Sequence, residues 1–530
     1  MNHLSRRQVL GGAVATAAAV TLGAPSVHAQ KRGQTIRFVA QADLKVLDPV
    51  WTTGYITRNH GYLVYDTLFG TDEQLRVKPQ MVDRFSVSAD GMKYTFTLRD
   101  GLRWHDGKPV VSEDCVESLR RWGKRDRFGG FLMAHTGKIT PVDAKTFTLE
   151  LAERFGPVLD ALGSGARPAF MMPARVAATS PDEQIKEIVG SGPFKFVEGD
   201  WQPGNQAVYV RNPGYVPRNE APSGSTGGKK VHLDKVIWRY GPNPESVAEA
   251  LAAGEVDWWE QPPLDFMPKI NQNPALRTFI PDPLGTQGWL RPNHLHPPFN
   301  NKKARQALLY AMDQVTYLAL AIGPADYYRP CHSVFACKGP YASRAGAEPL
   351  MKPDLARARQ LVKESGYDGR PVVVIQITDL VFLNYAAIVT RRRLESIGFN
   401  VELKTMDWST NLIERNRKEP PDKGGWNLLH TWWTAADVIS PAVHFGLSAA
   451  GPTAWYGWAN IPQLEKLTTA WLRATDQAQR KQIADDIQKV AFDEVPYVPW
   501  GEWDNPTAFR KSVQGILKFS APVFWNVATT

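Results

Sequence analysis

An α/β fold divided into more than one domain is what this sequence predicts, and three observations predict it. Strand-like and helix-like segments alternate through the second half of the chain. About 500 residues remain after an N-terminal leader, more than one hydrophobic core organises. Hydrophobic residues make up 43% and charged residues 22% of the chain, a balance that buries an ordinary core.

The leader comes first. Arg6 and Arg7 sit in SRRQVL, an apolar stretch covers 9–22, Pro25 breaks it, and VHA at 27–29 supplies small residues before Gln30. A charged start, a short apolar core and an A-x-A-like exit predict a secretory signal peptide over 1–29, and the paired arginines point to the twin-arginine route. The core is shorter than the roughly 20 residues a membrane span needs, and no later stretch is long and apolar enough to span. The expectation is an exported, periplasmic protein.

The elements follow in order. Residues 35–40 (TIRFVA) read as a strand and 62–69 as the end of a helix. KYTFTL at 93–98 alternates polar and apolar residues, which is strand periodicity. Asp100-Gly101 then predicts a hairpin into a second strand at 102–104. After a further turn at 106–109, Ser112 is the expected cap of a helix to Trp122, with Glu113 and Asp114 in the first turn. Strands are expected at 145–151, 194–197, 207–211 and 235–240, and a helix at 245–253. Residues 301–313 and 355–365 read as helices, and the β-branched run 372–377 as a buried strand. A helix over 385–397 stops at Gly398, a strand covers 400–404, and 462–494 is largely helical.

Composition narrows the function classes. The net charge of +9 includes Arg6 and Arg7, and the longest basic run, Arg391-Arg392-Arg393, falls in a helical pattern. That is a solvated helix face, so no nucleic-acid partner is expected. The 18 tryptophans suit a cavity that encloses an organic solute. Three cysteines are too few for a disulfide framework or an iron–sulfur site. Cys331 and Cys337 enclose a short loop and can pair in an oxidising compartment, whereas Cys115 sits in a helical pattern as a buried thiol. No nucleophile elbow, His-Glu-x-x-His, cysteine cluster or Rossmann fingerprint is present, so no enzyme and no cofactor are expected; an exported enzyme is the remote alternative.

Four stretches resemble the large solute-binding proteins of oligopeptide, dipeptide and nickel ABC importers, extracytoplasmic solute-binding protein family 5. They are LRDGLRWHDGKPVVSEDCVESLRR at 98–121, GSGPFKF at 190–196, ALAAGEVD at 250–257 and FNNKKARQALLYAMD at 299–313. They stand in the family's order and span the chain after the leader. The resemblance implies a two-lobe periplasmic-binding-protein type II fold with an extra subdomain inserted in the first lobe. The implied division is 30–70 and 190–284 for the first lobe, 71–189 for the insert, 285–500 for the second lobe, and a return to the first over 501–530. It also implies capture of a peptide-like or amine-bearing solute between the lobes, and delivery to permease subunits by a monomer.

The segment HTWWTAADVISP at 430–441 resembles the family's ligand-binding block, and there Asp437 matches the residue that holds a peptide's ammonium group. The block departs from the pattern in one extra residue between Trp433 and Asp437 and in Ser440, which replaces a second acid. The arginine that holds a dipeptide's carboxylate in the family is missing; Asn384 and Tyr385 stand in that region and offer hydrogen bonds. An ordinary dipeptide is therefore the less expected cargo. Trp432, Trp433, Tyr55, Trp289 and Trp503 complete the candidate set, as rings on which a flat or cationic solute stacks. The alternative is a nickel- or metallophore-binding component using His294, His296 and His430, but no cysteine or carboxylate cluster accompanies them, so no metal site is predicted.

Overall fold

The computed structural model describes residues 34–241, 243–474 and 476–530; the expected signal peptide at 1–29 lies outside the described residues. Two mixed sheets organise the rest. The first orders Leu276–Phe279, Thr507–Arg510, Trp258–Trp259, Thr35–Val39, Lys235–Arg239, Gln206–Arg211 and Phe194–Phe196. Its Thr35–Val39 strand runs parallel to both neighbours and buries Ile36 and Phe38 fully. The second orders Tyr328–Arg329, Val498–Trp503, Thr286–Pro292, Leu428–Thr434, Val372–Ile377 and Val401–Met406. Here the parallel members are the β-branched strand Val372–Ile377 and its two neighbours; helices such as Val381–Ile397 cover it, as parallel strands require.

A four-stranded antiparallel sheet, Val82–Val87, Lys93–Leu98, Thr146–Leu151 and Thr136–Pro141, stands apart from both. Tyr94, Phe96 and Leu98 alternate inward, and Phe96 meets Phe147 at 5.1 Å between ring centres. The expected hairpin at Asp100-Gly101 does not form a second strand; Arg103 makes only an isolated bridge to Pro109. Trp104 turns inward instead, and its indole N–H donates to Asp114 Oδ2 at 3.0 Å. Burial of the Trp104 ring with its N–H paired takes the place of a short ladder. Asp114, not Ser112, closes the start of the Ser112–Gly123 helix, accepting from the Val111 N–H at 3.0 Å.

The chain passes from the first sheet after Phe279 to the second at Thr286, and returns between Trp503 and Thr507. The expected division at 500/501 falls inside the strand Val498–Trp503. Where that strand meets Thr286–Pro292 the register shifts at Gly288. A Cβ on Gly288 would stand 2.1 Å from the Trp500 ring, and Gly501 opposite holds φ +126; only glycine fits either place.

The two lobes are closed on each other. Lys45 pairs with Asp407 at 2.8 Å, the Tyr240 hydroxyl donates to Asp379 at 3.0 Å, Arg415 donates to Thr53 Oγ1 at 2.9 Å, and Arg127 pairs with Glu465 at 3.3 Å.

Candidate functional site

Closure leaves two chambers between the lobes. The first is lined by Tyr55, Arg58, Glu260, Asp282, Trp432 and Phe519, among others, and the second by Tyr240, Asp379, Phe382 and Trp503. They share Gln41, Gln261 and Asn505.

The helix Tyr55–Val64 builds one wall of the first chamber. All ten of its residues are buried, although Arg58, Asn59 and His60 are polar. It lies this deep because Gly61 carries no side chain: a Cβ there would stand 2.6 Å from the Phe170 ring. Asn59 accepts from Arg58 Nε and Nη2 at 3.2 and 3.0 Å, and its amide donates to Glu260 Oε1 at 3.0 Å. Glu260 Oε2 accepts from the Gln41 N–H at 2.8 Å. Burial raises the Glu260 carboxyl to about 7 and that of Asp282 to about 6. Asp282 Oδ1 accepts from the Leu284 N–H at 3.1 Å, while its buried Oδ2 has no hydrogen-bond partner among the described residues. Two acids that burial keeps short of full ionisation are ringed by Tyr55, Trp258 and Trp432, a chemistry suited to a cation.

Asp437 lies behind this wall and is fully buried. Its Oδ2 accepts from the Tyr55 hydroxyl and from Thr434 Oγ1, the latter at 2.8 Å, and the Tyr55 oxygen accepts from the Thr434 N–H at 2.7 Å. Burial, with the Asp437 charge, pushes the Tyr55 phenol well up, so it remains a donor. Arg167 Nε stands 3.7 Å from Asp437 Oδ1, and the guanidinium lies over Trp433 at 5.0 Å and Tyr55 at 5.5 Å. The pair joins the Tyr55 side of the cleft to the second lobe.

Of the residues singled out from sequence, Tyr55 and Trp432 line the first chamber and Trp503 the second. Trp433 is one layer back, stacked on Phe445 at 5.4 Å. Trp289 is core: it stacks on His444 and Tyr497, and its indole N–H is taken by Gln287 Oε1 at 2.8 Å. Asn384 accepts from Gln376 at 2.7 Å and Tyr385 is 47% exposed, so neither reaches a chamber. The reason is helical phase: Leu383, Ala386 and Ala387 take the buried face of Val381–Ile397. Arg58, Glu260, Asp282 and Arg167 escaped the sequence reading. A polar triplet inside an otherwise apolar helix was the available signal for Arg58; Arg167 sits in a Gly-Ala-Arg-Pro loop with no periodicity to betray it.

Cys331 and Cys337 form a disulfide, and Cys115 is free and buried. The histidines do not converge. His430 is buried against Thr390 Oγ1 at 2.7 Å, and His296 meets the Lys418 carbonyl at 2.8 Å on the surface. Among the described residues the only clustered metal-type donors are Cys331, Cys337 and Glu502, and the two sulfurs are bonded to each other.

The profile of bacterial extracellular solute-binding proteins, family 5 middle, matches residues 76–451. A relative from Sinorhizobium fredii, named "Probable peptide ABC transporter periplasmic-binding protein", is 38% identical over 99% of each chain. Among solved structures, a dipeptide-binding protein from pseudoalteromonas sp. SM9913 in complex with Met-Leu has a TM-score of 0.78 at 20% identity, covering 94% of this chain and 100% of that one. AgaA from A. tumefacien R10 in complex with agropinic acid has 0.77 at 22%, covering 94% and 99%. At those identities the two structures establish the shared fold alone.

Proposed function

The chain belongs to the bacterial extracellular solute-binding proteins of family 5, and from that premise we propose what it carries. It is the extracytoplasmic binding component of a peptide-type ABC importer, working with membrane permease subunits, and not an enzyme. We propose that it is a periplasmic monomer delivered by the twin-arginine signal at 1–29, and that its cargo is a small amine-bearing solute, peptide-like in character. The first chamber carries this reading: Glu260 and Asp282 line one space with Tyr55 and Trp432.

The cargo's ammonium is assigned to these two carboxylates, with Asp437 one layer behind as the anchor of closure through Tyr55 and Arg167. A charge-assisted contact of this kind contributes roughly 1.5–3 kcal/mol. Solute settles on one lobe, closure buries it, and the closed form docks on the permease. Mass spectrometry of solutes released from the purified protein by mild denaturation tests the class, followed by calorimetry of the released compound. E260Q is expected to weaken an amine-bearing cargo about ten-fold or more; a released cargo with no basic nitrogen would refute the assignment.

A further inference from the structure

We propose that Arg58 is a carboxylate-binding subsite, so that the site takes a solute bearing both a basic and an acidic group; this rests on the amine reading above. Arg58 is 3% exposed and lies where the first chamber meets a third, smaller one, lined also by Arg125, Asp126 and Arg167. The guanidinium is fixed on three sides. Nε and Nη2 donate to Asn59 Oδ1, Nη2 donates to the Ser520 carbonyl at 2.7 Å, and the plane lies 4.4 Å over the Tyr55 ring. Those acceptors are all neutral. The remaining nitrogen, Nη1, is buried and has no hydrogen-bond partner among the described residues.

The other charges lining the third chamber are otherwise engaged. Arg125 pairs with Asp182 at 3.1 Å and donates to the Trp51 carbonyl at 2.8 Å. Arg167 donates to the Thr53 carbonyl at 2.5 Å and faces Asp437. Asp126 accepts from the Gly129 N–H at 2.7 Å, at the start of the Arg127–His135 helix. Glu260 and Asp282 feel the Arg58 charge across the chamber, but among the described residues no anion hydrogen-bonds to the guanidinium, and an incoming carboxylate supplies that charge-assisted bond. The placement also sets the cargo's geometry. One amide, Asn59, holds Arg58 on its oxygen and Glu260 on its nitrogen. The positive and negative receptors therefore flank a single side chain, the close spacing of an amino acid or a short peptide. Sequence comparison looks for the carboxylate's arginine in the helix after Asp379 and finds none; the fold supplies one from the helix Tyr55–Val64.

The carboxylate has two sources, the cargo itself or a dissolved anion, and the test separates them. The full chain is melted over a sodium formate series, with the same series on R58Q as the control for ionic strength. A saturable rise in Tm in the native protein, absent in R58Q, is the expected result; an equal response in both overturns the subsite. Should R58Q fail to fold, R58K decides, since it keeps the charge but lacks Nη1: a weaker formate response supports the subsite and an unchanged one overturns it. Pooled dipeptides with free C-termini are then compared with the same peptides amidated. A preference for the free acids of about ten-fold or more, lost in R58Q, assigns the carboxylate to the cargo. Equal binding with the formate response intact assigns it to a dissolved anion. The formate series involves no amine, so its result stands apart from the fate of the amine reading.

Discussion

At the scale of the residue, Glu260 and the buried histidines impose opposite dependences on pH. Burial holds His60, His430 and His444 near about 3, so below the ordinary histidine value the unfolded chain binds more protons and stability falls with acidification. Glu260 and Asp282 sit at about 7 and about 6, above the ordinary carboxylate range. There the folded state binds more protons, and stability falls as pH rises through that window. E260Q removes one opposing contribution, worth up to about 1.4 kcal/mol per pH unit. Urea midpoints measured at about pH 5 and about pH 6.5 are therefore expected to show a steeper acid loss in E260Q than in the native chain. The same carboxyl gives a binding signature. An ammonium seated on Glu260 favours its ionised form, so binding just below neutral pH releases a proton. Calorimetry in buffers of different ionisation enthalpy reads that release, and E260Q is expected to abolish it.

At the scale of the element, the join of Thr286–Pro292 to Val498–Trp503 is the tightest part of the second sheet. G288A drives a methyl group into the Trp500 ring and is expected to cost about 1–3 kcal/mol or more, read as a lower urea midpoint. The loop closed by Cys331 and Cys337 is seated on the same sheet, where the Cys337 N–H donates to Glu502 Oε1 at 2.7 Å. Chain-entropy arguments give a loop this short about 2 kcal/mol. Reduction is expected to lower the urea midpoint accordingly, and C331S/C337S to make the protein indifferent to reductant.

At the scale of the whole molecule, closure is the function, and a buried ion pair holds it. D437N leaves Arg167 buried without its anion, a loss of about 3–5 kcal/mol when one partner of such a pair is removed. Because Tyr55 and Thr434 meet on the same carboxylate, the cost falls on the closed form in particular. Small-angle scattering is expected to show a solute-dependent decrease in radius for the native protein and a smaller or absent one for D437N. Equal compaction in both would remove Asp437 from the closure mechanism.

The periodic elements and the family were legible in the order of the residues. Alternation placed Lys93–Leu98, β-branching placed Val372–Ile377, and Gly398 stopped its helix, because each rests on contacts a few residues apart. That order also named Tyr55, Trp432 and Trp503, which do line the chambers. The meetings of the charged groups were not legible there. Arg58 and Glu260 are 202 positions apart yet share the side chain of Asn59, and Arg167 meets Asp437 across 270. No local pattern encodes such meetings. They arise because the chain crosses between two sheets and returns, and because closure strips water from acids and arginines that spacing alone cannot bring together.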